Sequence, residues 1–214
     1  MVGIASFLVR IYEEVELENN MQIVAATGNA HKVVEMSSIL APYGIQVLGA
    51  ETQGGMPEVN EDGDTFKENA VKKAMTCARL WKCPVIADDS GLEVMALGGA
   101  PGVHSARYAG EGGNDGRNLR KLLANLEGVT DRQARFVTVV ALALPDGTVR
   151  TAEGTVNGTI IHEARGTGGF GYDPAFVPDG YDKTFAELPA ETKNALSHRA
   201  NALKNAVAQG LFSF

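Results

Sequence analysis

Apolar residues recur along this chain in two rhythms, one suited to strands and one to helices. From Gln22 to Ala26 they run almost continuously, as in a short buried strand. Thr27-Gly28-Asn29 then breaks the run ahead of a stretch from Lys32 to Leu40 whose apolar positions return at helical spacing. Ile45 to Leu48 reads as the next strand, Gly54 to Asp64 as a loop and Thr65 to Leu80 as a helix. Val85 to Ala87 is a second buried run that ends on Asp88-Asp89-Ser90-Gly91, which puts carboxylates at a strand end. A glycine-rich turn, Gly98 to Gly102, precedes a helix from Asn114 to Leu126 with Asn114 or Asp115 near its cap. Arg135 to Leu144 and Val149 to Val156, joined by Pro145-Asp146-Gly147, read as a hairpin. After the glycine cluster Gly166 to Gly171, one long amphipathic helix is expected from Glu191 to Gln209, carrying Ser197-His198-Arg199 partway along. Strands alternating with helices, plus a hairpin, predict an α/β protein with a mixed sheet. There is no internal repeat or low-complexity linker, so a split into independent domains has no support.

Length and charge narrow the picture. With 214 residues, 44% of them hydrophobic, the chain suits one substantial core rather than two enzymatic domains. A formal net charge of -7 argues against a nucleic-acid coat, which needs a basic face, but allows a small polyanionic substrate offset by a metal ion and local lysines. Cys77 and Cys83 have neither redox-pair nor zinc-cluster spacing and read as buried thiols of a reducing cytoplasm. The apolar run Val2 to Val9 is too short to span a membrane and is followed by Glu13, Glu14, Glu16 and Glu18 rather than a cleavage site. Residues 1–20 are therefore read as an N-terminal extension or the product of an alternative start, ahead of a single domain over 21–210.

Three segments carry chemistry. Thr27-Gly28-Asn29-Ala30-His31-Lys32 places a glycine between a strand and a helix start with a lysine in the first turn, which suits phosphate; it lacks the spacing of a Walker loop and, alone, is equally an ordinary turn. Asp88 and Asp89 crowd like charges after a buried run and either call for a cation or belong to a solvated acidic loop, the reading that suits Glu58 and Asp62. Neighbours on a strand point to opposite faces, so at most one of them faces a cleft fully. Glu61, in the acidic stretch with Glu58 and Asp62, is a second oxygen ligand of the kind Mg2+ accepts beside water and phosphate. Phe170-Gly171-Tyr172-Asp173 follows a glycine run and offers aromatic faces to a nucleobase, or makes a tight turn with core aromatics. Lys183, Lys193, His198 and Arg199 gather positive charge near the C-terminus, and Arg suits the paired acceptors O6 and N7 of a 6-oxopurine. His31, His104 and His162 receive no role.

Taken together and in order, these segments resemble the inosine triphosphatase family, the Ham1-like non-canonical purine pyrophosphatases. The resemblance runs from Met21 to about Val207 and rests on TGNAHK from Thr27, EDGDTFKENA from Glu61, IADDSGLEV from Ile86, LGGAPGVHSARY from Leu97, GTGGFGYDPAF from Gly166 and SHRANAL from Ser197. It implies an elongated mixed sheet with flanking helices, two lobes around a central cleft, and a homodimer. It further implies Mg2+-assisted attack of water on the α-phosphorus of inosine-, deoxyinosine- or xanthosine-type triphosphates. By motif position Asp89 would be the general base and a metal ligand, with Glu61 as its partner on the ion. Thr27, Gly28, Asn29, Lys32 and Lys193 would hold phosphates. Ser90, Phe170, Gly171, Tyr172, Asp173, His198 and Arg199 would line the nucleoside site. The nearest rival, a Maf-like pyrophosphatase of modified pyrimidines, has a Ser-rich, Arg-containing first loop that TGNAHK does not match, and a pure nucleotide-binding regulator has little use for Asp89 with Glu61.

Overall fold

The computed structural model of the chain describes residues 21–110 and 112–214, so the expected extension 1–20 lies outside the described residues. The strands are β1 (Met21–Ala25), β2 (Ile45–Leu48), β3 (Val85–Val94), β4 (Gln133–Ala143), β5 (Val149–Ile160) and β6 (Phe176–Pro178). They form one sheet in the order β2-β1-β3-β4-β5-β6, with β1 parallel to both β2 and β3 and every later pairing antiparallel. The mixed α/β class expected from the alternation of elements is the class observed. The helices are α1 (Ala30–Leu40), α2 (Phe66–Trp81), α3 (Asp115–Asn125), α4 (Ala190–Leu196) and α5 (His198–Ala208). None of the described helices is long and apolar enough to cross a membrane.

Both faces of the sheet are covered, which is why β4 reads as a nearly unbroken apolar run. On one face α1 and α5 bury Met36, Leu40, Leu203 and Ala206 against Ile23, Ile86, Val140 and Leu142. On the other, α2 lays Phe66, Ala70, Ala74 and Cys77 over Val24, Val85, Ala87 and Val139. A third cluster, with Leu92, Phe136, Phe176, Phe185 and Leu122 of α3, fills the far end of the long hairpin. Each fully buried Leu, Ile or Phe contributes about 1.5–3 kcal/mol relative to exposure. α2 starts at a capping box in which Thr65 Oγ1 accepts from the Glu68 amide and the Glu68 carboxylate accepts from the Thr65 amide.

Two expectations are corrected. β3 continues through the acidic pair to Val94, because the antiparallel ladder with β4 carries it from Val85 to Val94; Asp88 and Asp89 are mid-strand residues, not strand-end ones. The C-terminal helix is two helices. Ser197 is extended, and its Oγ accepts from the Ala200 amide at 3.2 Å, ending α4 and capping α5. His198 and Arg199 therefore open a helix instead of lying partway along one. α5 also packs unusually close to the sheet: a Cβ on Gly154 would lie 2.0 Å from the Ala202 nitrogen and 2.5 Å from the His198 carbonyl oxygen. Only glycine at that point of β5 lets α5 bring His198 and Arg199 down onto the strands.

Candidate active site

β1 lies at a topological switch: its chain leaves to one side for β2, and β3 returns on the other. Open α/β sheets leave a crevice at the carboxyl end of such a strand. Here that end is Thr27-Gly28-Asn29. Asn29 caps α1 by accepting from the His31 amide at 2.9 Å, and Thr27 Oγ1 accepts from the Asn29 amide at 3.1 Å. Among the described residues, none beyond its chain neighbours lies within 4 Å of a Cβ built on Gly28, so they leave the space above the loop open. The ladder between β1 and β3 stops at Ile86, and β3 runs on past the end of β1 until Glu93 meets Pro101.

A cleft lies on one side of this edge, lined by Asn29, Lys32, Ser90, Asp115, Phe170, Gly171, Tyr172, Asp173, His198 and Arg199 among others. Three of these, Lys32, Arg199 and Asp173, belong to a chain of alternating charge. Lys32 Nζ lies 3.0 Å from Asp88 Oδ2, and Asp88 Oδ2 takes Arg199 Nη2 at 3.0 Å. Arg199 Nη1 donates to Glu35, Glu35 Oε1 accepts from Lys193 Nζ at 3.0 Å, and Lys193 reaches Asp173 Oδ2 at 2.8 Å. Burial works to raise the Asp88 pKa, but Lys32 and Arg199 outweigh it and hold the carboxyl well below the usual carboxylate range. Arg199 also donates through Nε to Asp88 and through Nη2 to Ser90, so four hydrogen bonds tie it to the protein. A guanidinium has five N–H donors, so Arg199 cannot offer a base the free fork expected from its sequence position. Lys193 likewise is directed at Glu35, Asp173 and the face of Phe170, 4.7 Å from the ring centroid.

The aromatic loop is tied at three points. Asp173 Oδ2 accepts from the Phe170 amide at 2.9 Å, possible because Gly169 has φ +69° and no Cβ, which would sit 2.1 Å from that oxygen. Asp115 Oδ2 accepts from the Gly171 amide at 2.9 Å, and the Tyr172 hydroxyl donates to the Ser105 carbonyl at 2.8 Å. Tyr172 is thus a buried anchor, whereas the Phe170 ring lines the cleft with His31 stacked against it, 6.1 Å between centroids. His198 lies flat against Phe136, 4.6 Å between centroids. Burial first, then the Arg199 and Lys193 cations, push the His198 pKa well down, so the ring is neutral. Its Nδ1 is buried without a hydrogen-bond partner.

Asp89 and Glu61 do not line this cleft. Asp89 points to the α2 face of the sheet, where Asn69 Nδ2 donates to its Oδ2 at 3.1 Å and Lys73 Nζ lies 2.9 Å from Glu61 Oε2. Burial raises the Asp89 pKa and Glu61 adds to the rise, against the pull of Lys73 and Asn69. Asp88 and Asp89 are neighbours on the stretch of β3 that runs on past β1, so their two sets of partners lie on opposite faces of the same short edge. Among the described residues, no three His, Cys, Asp or Glu side chains make a ready metal cage. Two carboxylates beside open space match instead the sparse, hard-oxygen set with which Mg2+ is held when substrate phosphates complete its shell.

Asn69, Lys73 and Glu35 went unnoticed in the sequence. Asn69 and Lys73 carried a signal, since both fall in the buried stripe of α2 among Phe66, Ala70, Ala74 and Cys77. Glu35 carried none beyond its place one turn after Lys32.

The Ham1 family model matches residues 23–209. The chain belongs to the Ham1 family. It is 52% identical over 189 residues to a Desulforamulus reducens protein named dITP/XTP pyrophosphatase, covering 87% of this chain and 94% of that one. A Bacillus licheniformis protein of the same name is 51% identical over 185 residues, covering 86% and 94%. Among solved Ham1 structures, the Coxiella burnetii protein superposes with a TM-score of 0.80 at 38% identity, covering 91% of this chain and all of that one. The Staphylococcus aureus protein gives 0.77 at 44% identity, with 89% and 99% covered. The fold and the family expected from the six sequence motifs are therefore those found.

Proposed function

We propose that this Ham1-family chain hydrolyses dITP, XTP and ITP to the nucleoside monophosphate and pyrophosphate, clearing non-canonical purines from the nucleotide pool. The observation that carries the reading is the join at the free edge of β3. On one side is a cleft with a stacking aromatic and an unpartnered neutral imidazole. On the other is the half-buried Asp89, held by Asn69, beside Glu61 paired with Lys73, while Lys32 pairs with Asp88 on the cleft side of the same strand. Such a path holds a base at one end and a polyphosphate at the other. The names of the relatives in D. reducens and B. licheniformis support the same substrate class.

In this reading the base stacks on Phe170, and His198, held flat by Phe136, meets its six-position edge beside the Arg199 guanidinium. O6 of hypoxanthine or xanthine suits cationic surroundings, whereas the amino group of adenine brings a donor to them. Ser90, Gly171, Tyr172 and Asp173 shape the nucleoside wall. Thr27, Gly28 and Asn29 offer backbone and side-chain donors at the start of α1, where anions are favoured, and Lys32 neutralises phosphate. Lys193 reaches phosphate only by leaving Glu35 or Asp173. Glu61 and Asp89 would hold Mg2+, which when bound supplies Lewis-acid polarisation and a lowered pKa for water. Asp89 takes the proton of the water that attacks the α-phosphorus, the bond to the bridging oxygen breaks, and pyrophosphate leaves. A homodimer in the cytoplasm belongs to the same proposal, and sedimentation of the purified protein checks the dimer.

Pyrophosphate release measured with dITP, XTP, ITP, ATP and GTP tests the reading. The first three are expected to be favoured strongly, and activity should vanish on chelation. Equal turnover of ATP, or activity that survives exhaustive chelation, would overturn it.

A further inference from the structure

Glu35 has no assigned role, yet it is a middle link of the chain of charges beside the cleft. Its two oxygens separate their duties: Oε2 accepts from Arg199 and Oε1 from Lys193 at 3.0 Å. On one side the chain continues through Asp88 to Lys32, one helical turn before Glu35 on α1. On the other it continues through Asp173 to the amide of Phe170. Among the described residues Glu35 is therefore the only ion-pair partner that Arg199 and Lys193 share. Its side chain is 12% exposed, so water does not screen these pairs as it would on a surface.

We propose that Glu35 is a positioning residue for the nucleotide, keeping the aromatic loop that meets the base in register with the first turn of α1 that meets the phosphates. The proposal rests on the nucleotide reading above. Arg199 lies in the first turn of α5, where a helix dipole disfavours a cation, and Lys193 is buried in α4. Without Glu35 each has one carboxylate fewer, and the two helix ends are free to shift independently. A shift there moves His198 with Arg199, and Phe170 with Asp173. Glu35 touches neither base nor phosphate; it acts by fixing the groups that do. A residue of this kind affects recognition of the correct base more than it affects the reaction step.

Glu35→Gln and Glu35→Asp are compared with the wild-type chain for kcat and KM on dITP and ATP, with melting temperature measured alongside. Glu35→Gln should lower the dITP-over-ATP preference by about tenfold or more, chiefly through KM for dITP, and Glu35→Asp should recover part of it. A role confined to gluing helices would lower the melting temperature and reduce both substrates in parallel. An unchanged preference in Glu35→Gln, or a parallel loss, overturns the proposal; if that variant does not fold, the same comparison on Glu35→Asp decides. Failure of both variants to fold also overturns it in favour of a purely structural role. Absence of any dITP preference in the wild-type chain would instead bring down the nucleotide reading, a result that needs no variant.

Discussion

Asp88 and Asp89 are the same residue at adjacent positions of β3, and the sheet sends them into opposite environments. Asp88 faces α1 and α5, is fully buried, and is clamped by Lys32 and Arg199. Asp89 faces α2, is half-buried, and has an amide donor from Asn69 and a cation no nearer than its share of Lys73. One pKa goes down and the other up. Asp88 is thus a fixed anion that organises cations, while Asp89 keeps proton affinity in reserve. Proximity in sequence says nothing about which job a carboxylate does; the neighbours across each face decide it.

The sharpest way to break this contrast is Asp89→Asn. Turnover should fall by roughly 100-fold or more with substrate affinity within about tenfold. In chelator the same variant should melt higher, by about 2–4 °C for roughly 1 kcal/mol in a domain of this size. The sign follows from the raised folded pKa: the native state holds the Asp89 proton more tightly than the unfolded chain, so ionisation at neutral pH costs stability that an amide avoids. Loss of stability on this substitution would show that Asp89 is structural.

Asp88→Asn should do the reverse. Removing one partner leaves Lys32 and Arg199 buried and uncompensated, which costs about 3–5 kcal/mol. Denaturant unfolding should show that loss, and activity should fall with the folded fraction and with a disturbed cleft. A variant as stable as the wild type would mean that the clamp around Asp88 is dispensable.

The smallest effect concerns His198, on the Asp88 side. Its folded pKa is depressed, so below about pH 6.5 the unfolded chain gains a proton that the native ring does not accept. Stability should fall as pH drops from about 6.5, by at most about 1.4 kcal/mol per pH unit from this one group. His198→Gln should flatten that part of the curve. An unchanged slope would mean that His198 protonates in the fold and is not held neutral by its cations.

Much of this was legible in the order of residues. β2 falls where the apolar pattern put it, at Ile45–Leu48, and the hairpin turn at Asp146-Gly147 is the one its composition announced. The opposite facing of Asp88 and Asp89 follows from strand geometry alone. The six motifs carried the family, and with it the candidate residues of both faces. The extent of β3 did not show, since acidic residues look like an end until β4 is seen to pair across them. Nor did the break at Ser197, because a serine within an amphipathic run becomes a cap only when its side chain turns to the backbone.

What the sequence determined, then, is most of the elements, the alternation of faces along a strand and the identity of the reactive groups, all of which depend on neighbours a few positions away. Tertiary structure decided the partners. Lys32 meets Asp88 across 56 positions, Arg199 meets Asp88 across 111, and Glu35 meets Arg199 across 164. Charge acts through space, and its strength depends on how much water the fold removes around each pair. No local pattern encodes that, so the division of labour between two adjacent aspartates appears only once α1, α2 and α5 are packed on the sheet.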